Sequence, residues 1–219
     1  MKKEKLKIIY EDKELLVVYK KSGLLTISSE KEKENTLFHK VYEYEKAKNK
    51  NNKVFIIHRL DKDTSGLIVF AKSEKTKRFM QDNWNTFTRK YIAVVTGKMN
   101  KKSDELISYL METKTNLVYV TKNEKLGKKA ITNYKVIGEN KNYSLLDIDI
   151  KTGRKNQIRV QLSNINHPIL GDKKYSKLKI NPLSRLCLEA YFLKIIHPIT
   201  KKEMDFVIPM NKDFINLCK

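Results

Sequence analysis

Two carboxylates and an arginine lie close together in one short polar segment of the sequence, residues 58–66. The segment reads His58-Arg59-Leu60-Asp61-Lys62-Asp63-Thr64-Ser65-Gly66. Neighbouring carboxylates can bind a metal ion or act as a glycosidase-like pair, whose members stand several ångströms apart in opposite roles. A spacing of two in an irregular loop selects neither chemistry. Asp63 is well suited to an Asx turn before Thr-Ser-Gly, so Asp61 is the stronger candidate for a reactive group.

A second polar segment, residues 152–160, has the composition of an anion-binding site. It reads Thr152-Gly153-Arg154-Lys155-Asn156-Gln157-Ile158-Arg159-Val160. Gly153 supplies a turn after a predicted strand, and a short helix is expected to begin just beyond it. A helix N-terminus next to Arg154 and Lys155 favours phosphate or carboxylate groups.

The charge of the chain favours a polyanionic partner. The formal net charge is +21, and basic surfaces bind nucleic acids by displacing counterions from the phosphate backbone. A solvated, lysine-rich surface would give the same number. Arginine discriminates better, because Arg59, Arg154 and Arg159 lie inside the two polar segments. A guanidinium offers planar, forked recognition of anions that lysine cannot reproduce, so we expect RNA or DNA as the partner.

The remaining composition argues against several classes of protein. Cys187 and Cys218 are far apart and fit no disulfide framework or zinc spacing, which points to a reducing compartment. The histidines are equally scattered, so no metal site is predicted. The longest apolar runs, such as 15–19 and 67–71, are too short for a membrane span or a signal peptide. We therefore predict a cytoplasmic location without membrane association.

Strands are the elements that must position the two polar segments. Runs typical of strands occur at 8–10, 15–19, 24–27, 54–57, 67–70, 91–95, 117–121, 130–136, 144–150, 193–196 and 206–208. Helices are predicted near 37–44, from the cap Ser73 to Trp84 with Phe79 and Trp84 as core contacts, and within residues 152–160 beyond Gly153. The pattern predicts an α+β fold, with a mainly antiparallel mixed central sheet and flanking helices and loops. No linker interrupts it, so residues 1–219 are expected to form a single domain.

Residues 58–66 resemble the signature loop of the RluA-type RNA pseudouridine synthases: His-Arg-Leu-Asp, two variable residues, Thr-Ser-Gly. All seven specified positions match. Residues 153–159 are similar to the family element Gly-Arg-Thr-His-Gln-Ile-Arg, and residues 166–172 match its Gly-His-Pro-Ile-x-Gly-Asp stretch except at the first position. Lys90-Tyr91-Ile92-Ala93-Val94 resembles the family strand that carries the active-site tyrosine. The resemblance extends from Leu15 to about Pro209.

The resemblance implies an isomerisation of uridine that needs no cofactor. Asp61 takes the position of the family's nucleophile, and Arg159 that of the active-site arginine that pairs with it and holds it ionised. Tyr91 would stack on the uracil and assist loss of the C5 proton. Arg59 would fill the space of the flipped nucleotide or hold it.

The implied partner is a structured RNA, ribosomal or transfer, read as a stem-loop by a monomeric enzyme. The residues predicted to contact this RNA are Arg59, Thr64, Lys90, Arg154 and Lys155. The S4-type domain of some relatives is expected to be missing, because the catalytic pattern starts within the first dozen residues. Departures from the family pattern at Lys21, Asn156 and Glu189 bear on substrate fit.

Two other functions are compatible with parts of the sequence. A non-catalytic RNA-binding or ribosome-assembly protein could keep the synthase fold, although the joint presence of Asp61, Tyr91 and Arg159 argues against it. A metal-dependent nuclease or phosphatase could use Asp61 and Asp63. That function is disfavoured, because no third carboxylate or histidine lies at ligand-like spacing.

Overall fold

The structure, a computed structural model, describes residues 5–30, 32–178 and 181–219. Its elements in chain order are β1 (Lys7–Glu11), β2 (Leu15–Lys20), α1 (Leu37–Lys48), β3 (Phe55–Ile56), β4 (Ser65–Ala71), α2 (Glu74–Asp82), a 3-10 turn (Trp84–Thr86), β5 (Thr88–Thr96), β6 (Ser103–Glu112), β7 (Val118–Thr121), β8 (Lys128–Glu139), β9 (Tyr143–Ile150), α3 (Gln157–Asn164), β10 (Leu188–Ile196), β11 (Glu203–Val207) and α4 (Lys212–Leu217). Strands predominate and their ladders are mainly antiparallel, which confirms the predicted α+β class.

The described residues cluster into two compact units. The first contains the chain up to Phe87 together with Phe192–Ile208, and the second contains Thr88–Tyr191 and Pro209–Lys219. In the first unit β2 pairs with β1 on one side and with β4 on the other, both antiparallel. Every residue of β4 is buried, as expected for a continuous apolar run. The loop that precedes β4, which carries Asp61, is therefore attached to a rigid strand.

In the second unit the strands are ordered β5, β9, β8, β6, β7. Tyr91 of β5 is opposite Ile148, which is opposite Tyr134 of β8. Residues paired in this way share a sheet face, as do residues two apart in one strand. Thr132, two residues before Tyr134, donates a hydrogen bond to Gln161 of α3. Tyr91 therefore lies on the sheet face that packs against α3.

Several predicted elements differ from the structure. The strand predicted at 24–27 is wrong: Leu25 makes an isolated bridge to Thr36. Strand β6 and helix α4 were not predicted. Ser73 caps α2 as expected, but the helix ends at Asp82, and its fully buried apolar side chain is Met80 instead of Phe79.

Within the described ranges, no α-helix combines the length and the apolar composition needed to cross a membrane. Cys187 and Cys218 are buried free thiols. Burial raises the pKa of Cys187 to about 12 and that of Cys218 to about 11. Both thiols are therefore protonated near neutral pH and unreactive as nucleophiles.

Candidate active site

The loop that carries Asp61 is fixed by hydrogen bonds to its backbone. The hydroxyl of Thr26 donates to the carbonyl oxygen of Leu60 at 2.7 Å and accepts from the Leu60 amide at 3.3 Å. The amide of Thr64 donates to the carbonyl oxygen of Asp61 at 3.2 Å and closes a turn. Thr26 is buried and Asp61 is half-buried, so this turn holds the carboxylate at the edge of a packed segment.

A fully buried lysine supports the same loop from β2. Lys20, with 0% of its surface exposed, donates from Nζ to the carbonyl oxygens of Leu24 at 2.7 Å, Lys62 at 2.8 Å and Lys21 at 3.1 Å. The amide of Gly23 also donates to Lys62, at 2.9 Å. One ammonium group thereby ties the residue after Asp61 to the segment that follows β2.

Small residues join the loop and the start of β4 to β2 and the segment after it. The hydroxyl of Ser22 donates to the carbonyl oxygen of Asp63 at 2.6 Å. Gly66 has φ +120°, a conformation that favours glycine, and it pairs with Lys20 across the β2–β4 ladder. Thr64 is only 3% exposed, so its RNA contact stays a prediction, while its packing in the loop is evident.

An aromatic stack holds the beginning of the loop. The rings of His58 and Trp84 are 4.2 Å apart at 25°, and Trp84 meets Phe87 edge-on at 5.9 Å. Nε2 of His58 accepts a hydrogen bond from the amide of Val69 in β4, at 3.2 Å. Trp84 is thus half-buried against protein rings, and the next loop residue, Arg59, is exposed.

Tyr91 and Lys90 lie on opposite faces of the second unit's sheet, because side chains alternate along β5. Nζ of Lys90 is 3.6 Å from Oδ2 of Asp147, and the other oxygen of that carboxylate accepts a hydrogen bond from Tyr191 at 2.8 Å. Tyr91 is half-buried on the α3 face. The structure therefore does not bring Lys90 and Tyr91 together.

Arg89 connects the strand of Tyr91 to the second polar segment. It is 5% exposed, and its Nη2 donates to the carbonyl oxygens of Ile150 at 3.4 Å and Lys151 at 3.3 Å. A Cβ atom on Gly153 would lie 3.2 Å from Nη1 of Arg89. Glycine at this position therefore allows the close approach of the guanidinium.

Arg159, on the first turn of α3, makes a bidentate ion pair with Asp172. Its Nε donates to Oδ2 and its Nη2 to Oδ1, both at 2.8 Å. Its Nη1 donates to Oδ1 of Asn156 at 3.2 Å, and the guanidinium carbon is 5.2 Å from the ring centre of Tyr175. Arg159 is 7% exposed and Asp172 is 2% exposed. These contacts together fix the position and the plane of the guanidinium.

Asp172 is itself held as an anion. Burial opposes its charge, but the hydrogen bonds from Arg159 and from the amides of Lys174 and Tyr175, at 2.8 and 3.0 Å, keep the pKa of Asp172 below its usual range. A carboxylate with this many donors remains ionised at neutral pH. It therefore supplies a permanent negative partner for Arg159.

The residues before α3 are organised by Gln157 and differ in exposure. Oε1 of Gln157 accepts hydrogen bonds from Thr152 at 2.7 Å and from the amide of Arg154 at 3.0 Å. Arg154 and Lys155 are exposed. Nε of Arg154 donates to the carbonyl oxygen of Lys129 at 3.1 Å, and Lys155 pairs with Glu112. Both predicted RNA contacts thus lie on the surface beside α3.

Sequence reasoning missed the residues that support the candidate groups, namely Lys20, Asn156 and Asp172. A signal existed for each. Lys20 ends an apolar strand just before Ser-Gly, Asp172 follows the Pro-Ile-x-Gly stretch, and Asn156 immediately precedes the helix of Arg159. All three residues position other groups. Lys20 fixes the loop that carries Asp61, and Asn156 and Asp172 fix the guanidinium of Arg159.

Comparisons with known proteins agree on one family. The model of the family described as RNA pseudouridylate synthase matches residues 14–164. An uncharacterised RNA pseudouridine synthase of Mycoplasma genitalium is 34% identical over 215 residues, which cover 96% of this chain and 68% of that protein. The ribosomal large subunit pseudouridine synthase D of Haemophilus influenzae is 32% identical over 229 residues, which cover 97% and 69%.

A solved structure has the same fold. The human RNA pseudouridylate synthase domain containing 4 protein superposes with a TM-score of 0.79 at 23% identity, over 95% of this chain and 90% of that one. This likeness extends along both compact units and bears on the fold alone.

Proposed function

Since this chain belongs to the RluA-type family of RNA pseudouridine synthases, which isomerise uridine in RNA, we propose that Asp61 is its nucleophile and that a structured RNA is its substrate. In this reaction Asp61 attacks the target uridine, either at the ribose or at the base, and the bond between N1 of uracil and C1′ of the ribose breaks; the bond to Asp61 breaks again before the product leaves. The uracil turns, C5 forms the new bond to C1′, the C5 proton leaves and N1 gains a proton. Atoms and electrons balance within the nucleotide, so the reaction consumes no cofactor.

The observation that carries this proposal is the support of the Asp61 loop. Lys20 and Thr26, both buried, bind the backbone on either side of the carboxylate. A nucleophile must be held within a few tenths of an ångström of its reacting position, because a displacement of about 1 Å can cost about 100-fold in rate. No comparable support is needed for a carboxylate that only binds solvent.

Tyr91 and Arg159 have separate roles in the proposal. Tyr91 stacks its ring on the uracil and assists loss of the C5 proton. Arg159 provides the positive charge that pairs with the nucleophile, as the resemblance to the family implies. The bidentate bond between Arg159 and Asp172 supports this role, since it presents the cation in one fixed orientation.

The RNA contacts divide by their chemistry. Arg59 is exposed on the nucleophile loop and enters the space vacated by the target uridine or holds the flipped nucleotide. Arg154 and Lys155 bind backbone phosphates, which adds affinity without sequence preference. Lys90 is paired with Asp147 on the sheet face opposite Tyr91, and its contact with RNA stays a prediction. Thr64 contributes through the packing of the loop, and its direct contact with RNA stays a prediction.

We further propose that residues 1–219 act as one catalytic domain and as a monomer in the cytoplasm. Relatives align along 96–98% of the chain, which favours joint function of both compact units. Several relatives bear the name ribosomal large subunit pseudouridine synthase D, so RNA of the large ribosomal subunit is the first candidate substrate. A loop uridine costs less to flip than a paired one, so a stem-loop is the expected target.

Mapping pseudouridine across cellular RNA with and without this gene tests the substrate. The expected result is the loss of one or a few sites in the deletion strain and their return with the wild-type gene. Asp61→Asn keeps the size of the side chain but removes the nucleophile, so it should restore no site while RNA affinity stays close to wild type. Asp63→Asn is the matched control and should restore the sites. An active Asp61→Asn enzyme with an inactive Asp63→Asn enzyme would overturn the assignment.

A further inference from the structure

The guanidinium of Arg159 is held in a clamp made by two side chains from different segments. The carboxylate of Asp172, 13 residues further along the chain, accepts hydrogen bonds from Nε and Nη2 at 2.8 Å each. Oδ1 of Asn156, the residue before α3, accepts a hydrogen bond from Nη1 at 3.2 Å. Forked pairing of this kind sets both the position and the plane of a guanidinium. Arg159 is therefore oriented by the protein itself.

Asn156 has the backbone geometry and the bonding for this task. Its φ is 54° and its ψ is 18°, the left-handed region that asparagine tolerates better than most residues. With the backbone turned this way, Oδ1 accepts from Arg159 while Nδ2 donates to the hydroxyl of Tyr175 at 2.9 Å. The same hydroxyl accepts from the amide of Val118 at 3.2 Å. The clamp is thus anchored to β7 as well as to α3.

We infer that Asp172 and Asn156 are positioning residues for the isomerisation, acting through Arg159. The inference rests on the proposed function, in which Arg159 acts on the nucleophile. A clamp that merely stabilised the fold would need no orientation of the cation. A clamp that positions a catalytic cation must affect the rate of the chemical step, and it must do so only while Arg159 is present.

The test is a double-mutant cycle measured as single-turnover rate at saturating RNA, with RNA affinity measured separately. Asn156→Gly removes the side chain and keeps the left-handed backbone; it should slow the chemical step about 10-fold and leave affinity unchanged. Asp172→Asn should slow it about 100-fold. In the Arg159→Lys background, Asn156→Gly should have no further effect, because interacting residues give non-additive losses.

Two further variants separate positioning from structure. Asn156→Asp keeps an oxygen that can accept from Nη1 and should restore most of the rate lost in Asn156→Gly. This rescue decides the question if Arg159→Lys is too slow for the cycle or if Asp172→Asn does not fold. Thr132→Val removes the hydrogen bonds that Thr132 makes with Gln157 and Gln161 of α3, the helix that carries Arg159. It should therefore lower thermal stability without slowing the chemical step.

The outcomes distinguish this inference from the proposed function. Additive losses in the cycle, no rescue by Asn156→Asp, or equal slowing by Thr132→Val would overturn the positioning role. A wild-type rate for Arg159→Lys would instead overturn the proposed role of Arg159 in the reaction. A wild-type enzyme without activity on any cellular RNA would overturn the proposed function as a whole.

Discussion

Replacing the buried Lys20 with methionine should destabilise the unit that carries Asp61 and slow the reaction. Methionine fills nearly the same space but carries no donor. The carbonyl oxygens of Lys21, Leu24 and Lys62 would lose the bonds that Nζ makes at 3.1, 2.7 and 2.8 Å. Lys62 would keep the amide of Gly23.

The magnitude follows from the three hydrogen bonds of the buried ammonium. A hydrogen bond made by a charged group contributes about 1.5–3 kcal/mol, which gives about 5–9 kcal/mol for three. Removing a buried ammonium also removes its desolvation penalty, which is several kcal/mol per ion. We therefore expect Lys20→Met to lower the free energy of unfolding by about 2–4 kcal/mol. Loosening of Lys62 displaces the adjacent Asp61, so the single-turnover rate should fall about 10-fold.

Trp84 gives a convenient assay. It is the single tryptophan of the chain and stacks on His58 at the start of the loop, so its fluorescence follows unfolding of this unit. With a urea slope of about 1–3 kcal/mol/M, the midpoint should fall by about 1–2 M. The matched control is Lys13→Met, an exposed lysine of the same unit, which should change stability by less than about 0.5 kcal/mol. Equal midpoints for Lys20→Met and wild type would refute the supporting role of the ammonium.

The other predictions concern substrate flipping, charge and metals. Arg59→Ala should slow the chemical step at saturating RNA, whereas Lys155→Ala should weaken affinity and reduce the salt slope by about one; an unchanged single-turnover rate for Arg59→Ala would exclude a flipping role. The pKa of Asp172 is lowered in the fold, so its stabilisation is present above the unfolded pKa of about 3.9 and is lost as pH falls through the folded value. Asp172→Asn should therefore reduce the acid dependence of the urea midpoint of the second unit, followed by circular dichroism. Turnover of a pre-folded stem-loop should continue in excess chelator, and its loss there would indicate a required metal ion. That stem-loop should also react as fast as the full-length RNA, and failure would point to recognition beyond the target loop.

The elements that carry the candidate groups could be predicted because strong local sequence patterns define them. The run at 67–70 forms part of the fully buried β4, and the loop before it carries Asp61. The strand predicted at 91–95 is β5, and alternation along it sets the face of Tyr91. The short helix expected beyond Gly153 is α3, which begins at Gln157 and carries Arg159 on its first turn. Periodicity and turn residues depend on near neighbours, which a single sequence displays.

The supports of these groups depend on distant contacts, which local patterns do not reveal. Lys20 is one of 46 basic residues, and its burial requires the segment after β2 to fold over its end. The run at 24–27 was wrongly predicted as a strand, because Thr26 uses its hydroxyl to bind Leu60 instead. Strand β6 was not predicted, because charged residues at its beginning, such as Glu105, obscure the alternation of apolar and polar residues.

The two supports differ in a way that affects how inactive variants should be interpreted. Lys20 holds backbone carbonyl groups, so replacing the side chain of Asp61 leaves every one of those bonds in place. Asp172 holds the side chain of Arg159 itself, so replacing that arginine leaves a buried carboxylate without its bidentate partner. Breaking a buried ion pair costs about 3–5 kcal/mol. The bonds of Lys20 therefore survive in Asp61→Asn, whereas loss of activity in Arg159→Ala reports chemistry only after its stability has been measured.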